Sequence, residues 1–135
     1  MDGSELVSLE NINSLLLVSF GGILGSNIRF FIFQSLDQFF ISKELKIVLI
    51  NNLASFLLGF VSAILSNHSS LDYSKELGLL IVIGFLGGLS TLSTFIYDLF
   101  ELSFNFKFSK AIRILIFSII FGLISLSLGF LLGNQ

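Results

Sequence analysis

Gly84-Phe85-Leu86-Gly87-Gly88-Leu89-Ser90-Thr91-Leu92-Ser93-Thr94-Phe95-Ile96-Tyr97-Asp98 is the stretch on which the architecture of this chain turns. Most of it belongs to a segment, 77–97, without a single charged residue. That segment satisfies the roughly 20 residues a helix needs to cross a bilayer. Its middle, however, is crowded with glycine and hydroxyl residues, which predicts a break in the helix. Hydrocarbon offers no partner to main-chain groups, so a broken helix at membrane depth requires protein or a watery cavity around it. Such breaks are where membrane proteins hold small ions.

Outward from this stretch the chain is uniformly apolar. Of its 135 residues 54% are hydrophobic, 17 are Phe, none is Pro, Cys or Trp, and the mean hydropathy is +0.98. Uncharged or nearly uncharged segments at 15–33, 47–65 and 114–132 join 77–97 as membrane spans. With their flanks the predicted helices cover about 15–33, 47–65, 77–103 and 111–133. The expected fold is one all-α membrane domain, 1–135, of four transmembrane helices with a break in the third. Asp2, Glu5 and Glu10 precede the first span without a basic region or a small-residue cleavage site, so no removable signal peptide is expected. Without Cys there are no disulfides, thiol chemistry or thiolate metal sites.

Charge placement predicts orientation. Lys43 and Lys46 follow the first span, and Lys107, Lys110 and Arg113 follow the third, whereas the opposite side carries Lys75 alone. Five basic residues against one place those two loops in the cytoplasm and both termini outside. The expectation is a multi-pass protein of the plasma membrane in lipid contact, inserted in one orientation.

Polar residues inside the spans are few. Gly21, Gly22 and Gly25 in the first span stand at spacings that let another helix approach closely. Arg29 is costly near hydrocarbon; it either faces protein and water or reaches the cytoplasmic interface by snorkelling. In the second span Asn51, Ser55 and Gly59 share one face at intervals of four. For Asn51 this suits an interhelical hydrogen bond or a pathway lining. Ser118, Gly122, Ser125, Ser127 and Gly129 give the last span a comparable packing face. His68, the one histidine, stands in a polar loop without a second metal-ligating neighbour, and is read as a loop residue. No nucleophile and base pair, phosphate loop or basic nucleic-acid surface is present, so neither an enzyme nor a nucleic-acid partner is expected. Four short helices leave little room for a closed pathway, so oligomerisation is expected.

Three blocks taken in order resemble the small fluoride channels of the Fluc or CrcB type. Gly21-Gly22-Ile23-Leu24-Gly25-Ser26-Asn27-Ile28-Arg29-Phe30 is similar to that family's first-helix motif, and Asn51-Asn52-Leu53-Ala54-Ser55-Phe56-Leu57-Leu58-Gly59 to its asparagine motif. The stretch 84–98 looks like its broken third helix. The resemblance spans essentially the whole chain. It implies an antiparallel dual-pore dimer with two narrow fluoride paths and one central structural sodium ion (Na+). The sodium would be held by backbone carbonyls, here those of Gly87 and Ser90. Carried over as pore residues are Asn51 at the entrance, Thr91 and Ser118 along a polar track, Phe95 as one of a phenylalanine pair, and Arg29 near the vestibule. Asp98 takes the family's acidic position after the break. Amide and hydroxyl donors and the positive edges of aromatic rings suit a compact anion, which a narrow line of donors can separate from chloride. Passive efflux of the ionised anion follows as the expected function.

Three departures accompany the match: Leu92 stands at the family's first pore phenylalanine, Ile47 at a threonine one turn before Asn51, and Ala54 at a glycine. With the one-sided charge, these favour pairing with an oppositely oriented paralogous subunit over pairing with itself. A small proton-coupled multidrug exporter is the second reading, and it would require an intramembrane carboxylate that the first two spans lack. A non-conducting structural subunit is the third reading.

Overall fold

The computed structural model describes residues 3–39, 42–67, 73–90 and 92–135. Among these the structure is entirely helical. α1 is Gly3–Asp37, α2 is Lys43–Asn67, α3 is Ser74–Leu77, α4 is Gly87–Leu89, α5 is Leu92–Phe104 and α6 is Phe108–Gly133. Between α3 and α4 the chain continues as a wider, π-wound helix, Gly78–Leu86. The pieces from α3 to α5 form one interrupted span, so among the described residues there are four helices long and apolar enough to cross a membrane.

Each helix runs past its apolar stretch. α1 begins well before residue 15, and α2 and α6 each start a few residues early. A main-chain hydrogen-bond ladder does not stop where the hydrocarbon does, and polar side chains at either end can remain hydrated while the helix continues. Within the spans several hydroxyls are satisfied by their own helix. Ser26 donates to the carbonyl of Gly22, Ser103 to Leu99 and Ser127 to Leu123. Asn27 likewise donates through Nδ2 to the Ile23 carbonyl at 2.7 Å. These donors need no partner helix.

The spans assemble as two glycine-seamed pairs. In the first, α1 lies against the π-wound segment and α4. A Cβ on Gly21 would collide with the Leu80 carbonyl, one on Gly25 with the Phe85 carbonyl, and one on Gly88 would lie 2.5 Å from the Gly22 carbonyl. In the second, α2 lies against α6, where Gly59 abuts the Leu126 carbonyl and Gly129 the Phe56 carbonyl. Lipid gives no hydrophobic drive for helices to associate, so close backbone approach and its dispersion contacts supply the attraction. The two pairs meet at a small core of Ile50, Ala54, Leu86 and Leu89, bordered by Ile32, Phe33, Leu36, Leu57, Leu58 and Phe85. Large apolar side chains elsewhere, such as Phe20, Ile96 and Phe117, are exposed, as expected for surfaces that face lipid or another subunit.

Candidate functional site

The break comes at Ser90. Its N–H still donates to the Leu86 carbonyl at 3.0 Å, but its ψ of 148° is extended and ends the helix. An extended residue leaves the preceding turn's carbonyls without their usual i+4 donors. Gly87, three residues earlier, faces open space: a Cβ there would meet nothing within 4 Å. Gly87 and Ser90 line a cleft of about 150 Å³ with Ala54, Ser55 and Leu58 of α2 and with Val82 and Leu86.

A second cleft, of about 140 Å³, is lined by Arg29, Phe30 and Phe33 of α1, Ile47, Ile50 and Asn51 of α2, and Thr94 of α5. Three separate spans therefore bring a guanidinium, a carboxamide and a hydroxyl to one place between aliphatic and aromatic walls. Each of the three can donate to an anion. Asn51 and Ser55 are one turn apart on α2, so the two clefts follow one another along that helix.

The end of the bundle that carries the basic loops is bound by ion pairs radiating from the start of α2. Lys46 Nζ donates to Asp37 Oδ1 of α1, Lys43 Nζ to Asp98 Oδ1 of α5 at 2.8 Å, and Lys110 Nζ of α6 to Glu44 Oε1 at 2.8 Å. The first turns of α2 are thus tied to all three other spans. The Lys46 ammonium lies 5.2 Å from the centre of the Phe33 ring, on the wall of the second cleft, and Lys43 lies 5.5 Å from that of Tyr97. Ammonium groups over aromatic faces gain further electrostatic attraction.

The residues named from sequence separate into groups. Arg29 and Asn51 are brought together in the second cleft, and Gly87 and Ser90 in the first. Phe95, next to Thr94, is buried in α5. Leu92, at the start of α5, is 72% exposed. Ser118 is half-buried on α6, one turn before Gly122, and lines neither cleft. Thr91 and His68 lie outside the described residues.

Thr94 was not singled out from sequence. Facing cannot be counted across a break, and the hydroxyls of 90–94 look equivalent until the turn is seen. Asn52 also was passed over beside its neighbour. It points away from Asn51, toward α6, where its Oδ1 is buried without a hydrogen-bond partner near Gly122. A buried carboxamide oxygen left this way costs about 1–3 kcal/mol. Among the described residues no three of His, Asp and Glu converge as metal ligands. Any cation at the break would rest on main-chain and hydroxyl oxygens.

Comparison with known proteins places this geometry in a family. The model of the "CrcB-like protein, Camphor Resistance (CrcB)" family matches residues 16–130. A Prochlorococcus marinus protein named "Fluoride-specific ion channel FluC 2" is 40% identical over 124 residues, 92% of this chain and 100% of that protein. A FluC of Prosthecochloris aestuarii is 33% identical across 93% of this chain and 96% of its own. Another, from Ignicoccus hospitalis, is 34% identical across 87% of this chain and 93% of its own. With the family model covering all four spans and relatives matching nearly end to end, the chain belongs to the CrcB-like family.

Proposed function

We propose that the chain is a subunit of a passive, fluoride-selective channel of the plasma membrane that lets cytoplasmic fluoride leave the cell. The observation that carries this reading is the convergence of Arg29, Asn51 and Thr94 from three spans on one narrow cleft, in a chain whose relatives are named fluoride-specific. Donors fixed on helices replace part of an anion's hydration shell, and a narrow path favours the smallest halide. Phe95, Thr91 and Ser118 extend the path in this reading, and a partner's surface closes it.

The second subunit is an oppositely oriented paralogue. Support comes from the five-to-one split of basic residues, which favours both termini outside, and from the 72% exposure of Leu92 among the described residues. Numbered relatives, a FluC 2 in Prochlorococcus marinus and a FluC 1 in Methanosarcina acetivorans, agree with paired genes.

A central structural sodium ion fits the oxygens at the break. Gly87 leaves the main chain uncovered, and Ser90 turns out of the helix beside it. Carbonyls released from a helix are hard oxygen ligands suited to a cation of this type. When bound, the ion would supply positive charge that holds the carbonyl ends of α4 in place.

The test is fluoride efflux from liposomes, read with a fluoride electrode, for the chain alone and for the chain with an oppositely charged-biased paralogue. Fluoride efflux without chloride efflux from the pair, lost in Asn51→Ala, is the expected result. A pair that retains full efflux after Asn51→Ala and Phe95→Ala reduces this chain to a scaffold. Cation efflux that depends on Asp98 would make it an exporter.

A further inference from the structure

α5 packs against α6 and α2. The break at Ser90 separates it from the glycine seam that fixes α4 against α1, so its position must come from contacts with other helices. Its buried face is Phe95, Asp98 and Leu102, at intervals of three and four. Asp98 is 5% exposed and spends one carboxylate oxygen on Lys43, while Oδ2 is buried without a partner. Breaking a buried, singly paired carboxylate away from its cation strongly disfavours the folded arrangement. Lys43 is different in kind: its side chain is 51% exposed, against 7% for Asp98, so the bond is buried at one end and accessible at the other.

The register of this pair bears on the cleft. Thr94 stands one turn before Asp98 on α5, and Ile47 and Asn51 stand one and two turns after Lys43 on α2. Residues four apart share a helix face, so the ion pair lies about one turn, ~5.4 Å, beyond the cleft toward the basic loops. Fixing Asp98 to Lys43 therefore fixes Thr94 opposite Asn51.

We propose that Lys43 and Asp98 form a register latch that sets the rotation and height of α5, so that Thr94 faces the Arg29 and Asn51 cleft. Both are positioning residues for the anion path, and neither contacts the anion. The ammonium also neutralises a carboxylate that would otherwise repel anions one turn from the cleft. The latch rests on the channel reading above only for its effect on flux; its geometric part stands apart from it.

Two measurements test it. The chain has no cysteine, so a single Thr94→Cys reports where α5 faces through its rate of labelling by a small charged methanethiosulfonate. Adding Lys43→Gln or Asp98→Asn is expected to change that rate at least about threefold. The exchanged pair, Lys43→Asp with Asp98→Lys, is expected to bring it back toward the parent value. In liposomes each single neutralisation lowers fluoride efflux about tenfold, and the exchange recovers much of it. Asp98→Glu, which keeps the charge, retains more efflux than Asp98→Asn. Unchanged labelling in both single variants overturns the latch, whatever the flux. Absence of fluoride efflux from the parent chain both alone and reconstituted with the paralogue overturns the channel reading and leaves the labelling result to decide the latch.

Discussion

Gly25 of α1 lies so close to the Phe85 carbonyl of the π-wound segment that a methyl group on it would collide with that oxygen and stand 2.9 Å from the Leu89 nitrogen. Gly87, in the same span, would accept a methyl group with nothing within 4 Å. Gly25→Ala is accordingly expected to destabilise the fold by about 1–3 kcal/mol, while Gly87→Ala is close to neutral. Thermal midpoints followed by fluorescence size-exclusion chromatography in detergent separate the two. Equal losses at both positions would contradict the seam.

The turn between α5 and α6 carries avoidable strain. Phe106 has a φ of 57°, a left-handed conformation that costs a residue with a side chain roughly 1–2 kcal/mol. It is held by bonds that close the helix end, Lys107 N–H to the Leu102 carbonyl at 2.9 Å and Phe106 N–H to Ser103 at 3.1 Å, the arrangement that glycine usually occupies. Phe106 is also 88% exposed, so its ring contributes little packing. Phe106→Gly is expected to raise the thermal midpoint, by an amount equivalent to about 0.5–1 kcal/mol after the entropic cost of glycine.

Among the described residues that line the cleft with Asn51 and Thr94, Arg29 carries a formal charge. A charge-assisted hydrogen bond to an anion is worth about 1.5–3 kcal/mol. Arg29→Gln should therefore lower fluoride efflux roughly tenfold to a hundredfold while leaving the detergent-solubilised protein intact. Efflux at the parent rate would assign Arg29 to the membrane interface instead.

Leu92 is aliphatic and uncovered. In the channel reading an aromatic ring there would add a polarised edge to the anion path, a contact in the range of ~0.5–1.5 kcal/mol. Leu92→Phe should raise efflux of the chain reconstituted with its paralogue roughly twofold to tenfold. A variant no faster than its parent would show that Leu92 does not limit conduction.

Sodium at the break would be held by carbonyls, which no side-chain substitution removes. Replacing sodium by a large organic cation is expected to reduce efflux, whereas Ser90→Ala should leave it nearly unchanged. The reverse pattern, loss in Ser90→Ala with sodium indifferent, would place the hydroxyl rather than the carbonyl in the path.

The four spans and the break were readable because they depend on hydropathy and on the glycine content of 84–90, both local properties. The seams were readable as spacing at Gly21, Gly25, Gly59 and Gly129, though the partner of each helix was not. Thr94 escaped notice because the chain reaches it after a wide-wound stretch and an extended residue. Each of these changes the rotation per residue, so periodicity fails beyond it. Lys43, Lys46 and Asp98 were legible as charges at span ends, and their counts spoke to topology. Their pairing across 55 positions in sequence, in the case of Lys43 and Asp98, required the fold.

The glycine seam between α1 and the π-wound segment also bears on bilayer thickness. Spans adjust to a thicker or thinner membrane by tilting, and by shifts of their flanking side chains. Where main chain meets main chain, as at Gly21, Gly25 and Gly88, no intervening layer of side chains can shear. α1 and the upper part of the third span therefore tilt as one body, and the break keeps its depth relative to α1. The Ser90 break is in this way held in register with α1, whatever the thickness of the membrane around it.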